Sequence, residues 1–362
     1  ISDAFNNGGF GYEFLSSFWP SFPASAKMAS IGFAIFGCGV EMAGVTVSKG
    51  IVKWFKGKEM ALAMGLEMAI ARLGVFAVFR LSPIMAEHGG VSMSVGVGTL
   101  LLLIGLLSFS VYFFMDRTLE RQDASARDQA DPEEEFKISD LKAIFTSKTF
   151  MIVAGLCVLF YSAIFPFQKF ATGMLESRLN MSTSEASGLF SFFPIGAMVL
   201  TPLLGWFIDN KGKAGTMLML GSLLVVICHL IFALTPAASF TFAVALSAII
   251  LLGISFSLVP AALWPSVPKL VDNRVLGSAY SIIFWIQNIG LMLTPMLIGW
   301  ALKVSNPGVA DGIAAGEALK YNYTVPMLIF ACLGVVAFFL AIWLKAEDKK
   351  KGYGIELPNV KK

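Results

Sequence analysis

Charge is what this sequence has least of: Lys, Arg, Asp and Glu together make up 14% of it, against about 25% in an average soluble domain. So few charges, beside 56% hydrophobic residues and a mean hydropathy of +0.75, exclude a water-facing globular surface and place the chain in a bilayer. Histidine is scarcer still, and His88 and His229 are too few and too far apart for a metal site. Cys38, Cys157, Cys228 and Cys332 lie inside apolar runs without paired spacing, so they read as small packing residues and not as a disulfide framework or a zinc site. No GxxxxGK[ST] loop is present, which argues against ATP as the direct energy source. No Ser/His, paired-Asp or His-rich cluster recurs at midspan depth, which speaks against an intramembrane enzyme. No cofactor, metal or nucleic acid is called for. The chain starts at Ile1 with no targeting sequence ahead of its first span, and the start reads as truncated.

What the chain does have is long apolar runs with 34 glycines and with prolines inside them, as transmembrane helices tolerate. Nine runs exceed the roughly 20 residues that cross a hydrocarbon core: about 27–54, 58–85, 91–115, 149–174, 184–208, 214–235, 239–264, 275–302 and 323–345. Residues 1–23, rich in Gly and aromatics without helical periodicity, read as an extramembrane lead-in. Twenty of the 27 Lys and Arg fall in one set of loops and in the C-terminal tail, and five fall on the other side. By the positive-inside rule the N-terminus is outside and the C-terminus cytoplasmic. The longest loop, from Met115 to Phe150, begins as a charged, Ala/Ser-rich linker. It continues into a short helix that Ser139 can cap, with Ile138, Leu141 and Phe145 on one face. The basic tail after Lys345 suits anionic head groups.

The stretch GWFIDNKGK, Gly205 to Lys213, has a Gly, an Asp four residues later and basic residues in a tight inner turn. It resembles the signature loop of the major facilitator superfamily, which lies between spans two and three and between spans eight and nine of twelve. The resemblance implies an all-α membrane protein of the major facilitator fold, whose nine transmembrane helices are spans 4–12 of 12. Residues 1–115 are then a remnant of the N-terminal six-helix bundle, 116–148 the linker, 149–345 the C-terminal bundle and 346–362 a cytoplasmic tail. It also implies that Asp209 braces the inner gate, with Lys211 and Lys213 beside it, and that Asp209 meets the N-terminal end of the span starting near Val275. WFKGKEMALAMGLEMAIARLG, EASGLFSFFPIGAMVLTPLLGWFIDNKGK, ALWPSVPKLV and LGSAYSIIFWIQNIGLMLTPMLIGWAL further resemble the branch holding the lysosomal dipeptide transporters of animals and their bacterial relatives.

Glu41 and Arg72 stand out on chemistry alone. Each is the fifteenth residue of its 28-residue run, so at about 1.5 Å per residue both lie near midspan on neighbouring antiparallel helices. An ionised side chain there costs at least about 2.5 kcal/mol unless it is paired or reaches water. A zwitterionic peptide presents an ammonium and a carboxylate at separate points, and Glu41 and Arg72 offer the complementary groups, arginine through a planar two-bond fork. The resemblance assigns Glu41 to the peptide amine and Arg72 to its carboxylate; an internal lock between the two is the structural alternative. Arg80, nearer the outer end, reads as a gate residue. Pro260, Pro265 and Pro268 each remove a backbone donor and free a carbonyl, with Trp264 among them as a cavity wall. Trp285, Gln287 and Asn288 at the next midspan are costly toward lipid and join the substrate candidates.

The expectation is therefore a secondary transporter of dipeptides or similar small zwitterions working by alternating access. Rivals are a carrier of sugars, organic anions or drugs, and a non-transporting receptor or scaffold. Its partners are a small solute and the lipid bilayer, with an accessory subunit left open. A bacterial inner membrane or a plasma membrane is favoured over a lysosomal one.

Overall fold

The computed structural model describes residues 3–55, 60–122, 144–271 and 276–358, and among them there is no strand. They fall into two compact units, residues 1–70 and 71–362. In the first, the lead-in is more ordered than its composition suggests. Helices α1 (Asp3–Asn6) and α2 (Tyr12–Ser16) close a small core of Phe5, Leu15 and Ala24 with Tyr12 and Met28. Lys27 is buried there, because its ammonium finds the carbonyls of Leu15 and Phe18 where α2 has ended. Helix α3 (Ala24–Phe55) follows, almost wholly exposed along its apolar length.

Helix α4 (Met60–Gln122) begins in the first unit and continues into the second. Its apolar stretch Ile70–Thr118 is 49 residues long, about 75 Å at 1.5 Å per residue, more than twice a hydrocarbon core. It breaks at Gly89 and Gly90, the latter at φ 71 and ψ 175, a conformation essentially reserved for glycine. Ser94 then donates back to the Ser82 carbonyl at 2.7 Å, so the two arms turn against each other. Among the described residues, eight helical stretches are long and apolar enough to cross a membrane. The break makes two of the 49-residue one, which accounts for the nine expected runs.

The core of the second unit is built from α5 (Lys148–Leu179), α6 (Thr183–Phe190), α7 (Phe192–Lys211), α8 (Ala214–Leu234), α9 (Phe242–Leu270), α10 (Leu276–Ser305) and α12 (Thr324–Lys351), with the short α11 (Val309–Ala314) in an end loop. Polar residues start them. Ser147 accepts from the Phe150 N–H, Ser182 forms a capping box with Glu185, and Thr241 accepts from the Val244 N–H. Helix α12 packs on α8 and α5, α9 on α8 and α7, and α10 on α5. Lipid tails are as apolar as leucine, so such packing relies on close backbone approach. A Cβ at Gly253 of α9 would lie 2.9 Å from the Phe193 carbonyl and 3.9 Å from Gly196 of α7, so only hydrogen fits.

Helix α12 runs on to Lys351, past the span end expected near 345, and Gly352–Pro358 folds back onto the bundle. The capped helix expected around Ser139 lies outside the described residues apart from a turn at 144–146.

Candidate functional site

Three bundle helices bring their aromatic residues together. Tyr161 comes from α5, Phe256 and Trp264 from α9, and Tyr280 and Phe284 from α10. Tyr161 stacks on Phe165 with ring centroids 5.5 Å apart at 14°, and Phe165 meets Phe256 edge-on at 5.5 Å. Trp264 stacks on Phe284 at 4.7 Å and 24°. Its indole Nε1 donates to the Tyr161 hydroxyl at 3.0 Å.

Proline chemistry explains the remaining polar link. The carbonyl of Trp264 would ordinarily accept from residue 268, but Pro268 has no N–H to give. The Tyr280 hydroxyl donates to that carbonyl at 3.1 Å, tying α10 to the proline-rich end of α9. A carbonyl freed by proline is thus filled by a side chain. The same rule operates on α4, where Pro83 deprives the Phe79 carbonyl and Ser187 of α6 donates to it at 2.5 Å.

Arg72 joins this cluster from α4. Its guanidinium carbon lies 4.5 Å from the centroid of the Phe256 ring, and its charge acts on the Tyr161 phenol. A guanidinium over an aromatic face gains about 0.5–2 kcal/mol and keeps its in-plane donors available. The structure therefore brings Arg72 and Trp264, two of the sequence candidates, to one aromatic wall. Glu41 belongs to the other compact unit and is exposed on α3.

The α10 candidates divide between faces. Gln287 is buried, and its Oε1 accepts from the Cys157 thiol at 3.3 Å, an interhelical tie to α5. Trp285 is 62% exposed, and Asn288 is also exposed, donating to the Phe284 carbonyl of its own helix at 3.1 Å. Asn288 sits one turn beyond Phe284 and so extends the face that carries the aromatic wall.

Among the gate candidates, Arg80 lies against α6. A Cβ at Gly188 would fall 2.6 Å from its Nη1, and the neighbouring Phe79 meets Phe190 edge-on at 4.9 Å. In the signature loop, Asp209 is half-buried and acts electrostatically on Lys269 at the end of α9. Val275, near which Asp209 was expected to meet a helix terminus, lies outside the described residues. Lys211 is exposed, whereas Gly212 and Lys213 both turn left-handed, at φ 74 and 71. The Lys213 N–H donates to the Glu356 carbonyl at 3.0 Å.

Sequence reading missed Tyr161, Phe256, Tyr280 and Phe284. The signal for Tyr280 was present, since a proline four residues beyond Trp264 creates a carbonyl in need of a donor. Nothing in one sequence pairs that carbonyl with this particular tyrosine.

Comparison with known proteins agrees with this architecture. The model of the Major Facilitator Superfamily matches residues 8–295. The lysosomal dipeptide transporter MFSD1 of Danio rerio is 29% identical over 330 residues, which cover 88% of this chain and 67% of the relative. Its namesake from Mus musculus is 29% identical over 86% of this chain and 65% of the relative, and that from Gallus gallus 28% identical over 76% and 62%. The chain spans about two thirds of the length of these curated relatives. With a family match over most of its residues on an all-helical, multi-pass membrane fold, the chain belongs to the Major Facilitator Superfamily, whose members are transporters of small molecules and not enzymes.

Proposed function

We propose that this protein moves dipeptides or similar small zwitterions across its membrane by alternating access. The observation that supports this best is the Arg72 guanidinium on the face of Phe256, whose ring packs on Tyr161. A cation there is expensive unless it serves a ligand or a partner, and a guanidinium favours a carboxylate held by two parallel bonds. In this reading Arg72 takes the peptide carboxylate. Trp264, fixed by Tyr161 and Tyr280, is a wall against the side chains. The relatives' printed names support the substrate class.

Helices α3 and α4 belong in this reading to an N-terminal bundle and α5 to α12 to the C-terminal one, which rock about a midplane site. The distribution of Lys and Arg supports a cytoplasmic C-terminus. The relatives are named as lysosomal, which gives no support to the bacterial or plasma membrane expected from sequence.

The test is uptake of labelled dipeptides by proteoliposomes holding the full chain. A single charge-assisted hydrogen bond contributes about 1.5–3 kcal/mol, so Arg72→Ala, which removes both bonds of the fork, should raise the half-saturating concentration by at least roughly 10- to 100-fold. Unchanged saturation in that variant would remove the carboxylate clamp from the proposal.

A further inference from the structure

Residues 352–358 form a strap across one end of the bundle, and the contacts are dense for so short a segment. Gly352 ends α12 at φ 72, and the chain reverses so that the buried Ile355 donates its N–H to Asp348 at 3.1 Å. On one side the Tyr353 hydroxyl lies 3.1 Å from Thr149 Oγ1 of α5. On the other, Glu356 Oε1 accepts from the Thr216 N–H at 2.7 Å, with Lys345 Nζ 3.6 Å away. Lys345 also donates to Thr216 Oγ1 at 2.6 Å. Helix α8 has no side-chain cap of its own, and this carboxylate, 140 residues along the chain, takes that place at its positive end.

The signature loop is shaped around the strap. A Cβ at Gly212 would fall 2.6 Å from the Leu357 carbonyl carbon and 2.8 Å from the Pro358 nitrogen, so the strap backbone seats where glycine leaves room. Lys213, a non-glycine residue at φ 71, is in a disfavoured conformation that persists only when its surroundings hold it. Its N–H is held by the Glu356 carbonyl. Lys269 donates to the Gly354 and Leu357 carbonyls, both at 3.0 Å, while the carboxylates of Asp209 and Asp348 act on it from nearby.

We propose that Gly352–Pro358 is a conformational strap on the signature loop, that Glu356 is its positioning residue, and that it holds the loop through the N–H groups of Lys213 and Thr216. The strap then governs how firmly the inner loop is held, whichever solute is carried. The inference rests on family membership and this geometry, and is independent of the dipeptide reading.

Amide hydrogen exchange on the full chain in lipid nanodiscs tests it without any substrate. Glu356→Gln removes the charge from the cap on α8 and should speed exchange across residues 211–218 by about ten-fold, the scale of one charge-assisted bond. Gly212→Ala displaces the strap by a steric route, leaves Glu356 intact and should produce the same pattern. An unmoved 211–218 segment in both Glu356→Gln and Gly212→Ala would overturn the strap.

Discussion

Replacing Tyr161 with Phe deletes one oxygen from the aromatic wall and leaves its rings in place, so it isolates the bond that orients Trp264. The phenyl ring can still stack on Phe165 at 5.5 Å and still meet Phe256, and Phe284 still covers the indole. What is lost is the acceptor 3.0 Å from Nε1. Leaving a buried donor unsatisfied costs about 1–3 kcal/mol. Trp264 is only half-buried, so the lower end, about 1 kcal/mol, applies. For a domain of 150–250 residues that corresponds to about 2–4 °C in Tm, and the larger bundle should sit near 2 °C. The assay is a double-mutant cycle on thermal melts of Tyr161→Phe, Trp264→Phe and the pair, in nanodiscs without ligand. The bond predicts a coupling of about 1 kcal/mol, because either single variant already breaks it. Coupling within about 0.3 kcal/mol of zero would show that the wall is held by ring packing alone.

Two further variants probe the fold. Gly253→Leu forces a side chain against the Phe193 carbonyl where α9 crosses α7 and should destabilise the bundle by about 3 kcal/mol, at the upper end for overpacking; a melting curve like that of the wild type would mean that the two helices do not meet there. Gly90→Ala meets no atom within 4 Å but sits at φ 71 and ψ 175, so a loss of about 1–3 kcal/mol should be purely conformational. In contrast Gly74→Ala, helical and also open on all sides, should be neutral or mildly stabilising, and equal effects at the two glycines would refute the break.

The fold was legible because bilayer physics leaves few options: an apolar run of about 20 residues must be a helix. Run lengths and a Gly–Asp–Lys loop then sufficed for the family. Arg72 was legible for the same reason, since a charge in such a run needs a purpose. The aromatic wall was not, because Tyr161 and Phe256 look like any other apolar residue of a span, and only the packing of α5 on α9 and α10 selects them. Gln287 shows the converse. Its polarity marks it for an interior, but only its partner, Cys157, shows that it ties helices together. Glu356 was hidden by sequence distance and by a tail whose many lysines suggested lipid.

The way α4 meets the bundle bears on how such a molecule can move. Among the described residues the contacts between them include the cation over Phe256, the edge-on pair Phe79–Phe190, the bond from Ser187 to the Phe79 carbonyl, and Arg80 against Gly188. The first three contribute about 0.5–2, about 0.5–1.5 and about 0.5–1.5 kcal/mol, or roughly 1.5–5 kcal/mol together if additive. That is the range separating two conformations which ligands can interconvert, a few kcal/mol. The bundle core is different in kind, with Phe160, Phe167, Phe190, Phe193, Phe256 and Phe330 all fully buried among helices that pack closely on one another. A moving α4 can therefore part from the bundle while the bundle stays whole. Among the described residues Arg72 is the cation on the aromatic wall, and such a movement would carry its guanidinium away from the Phe256 face.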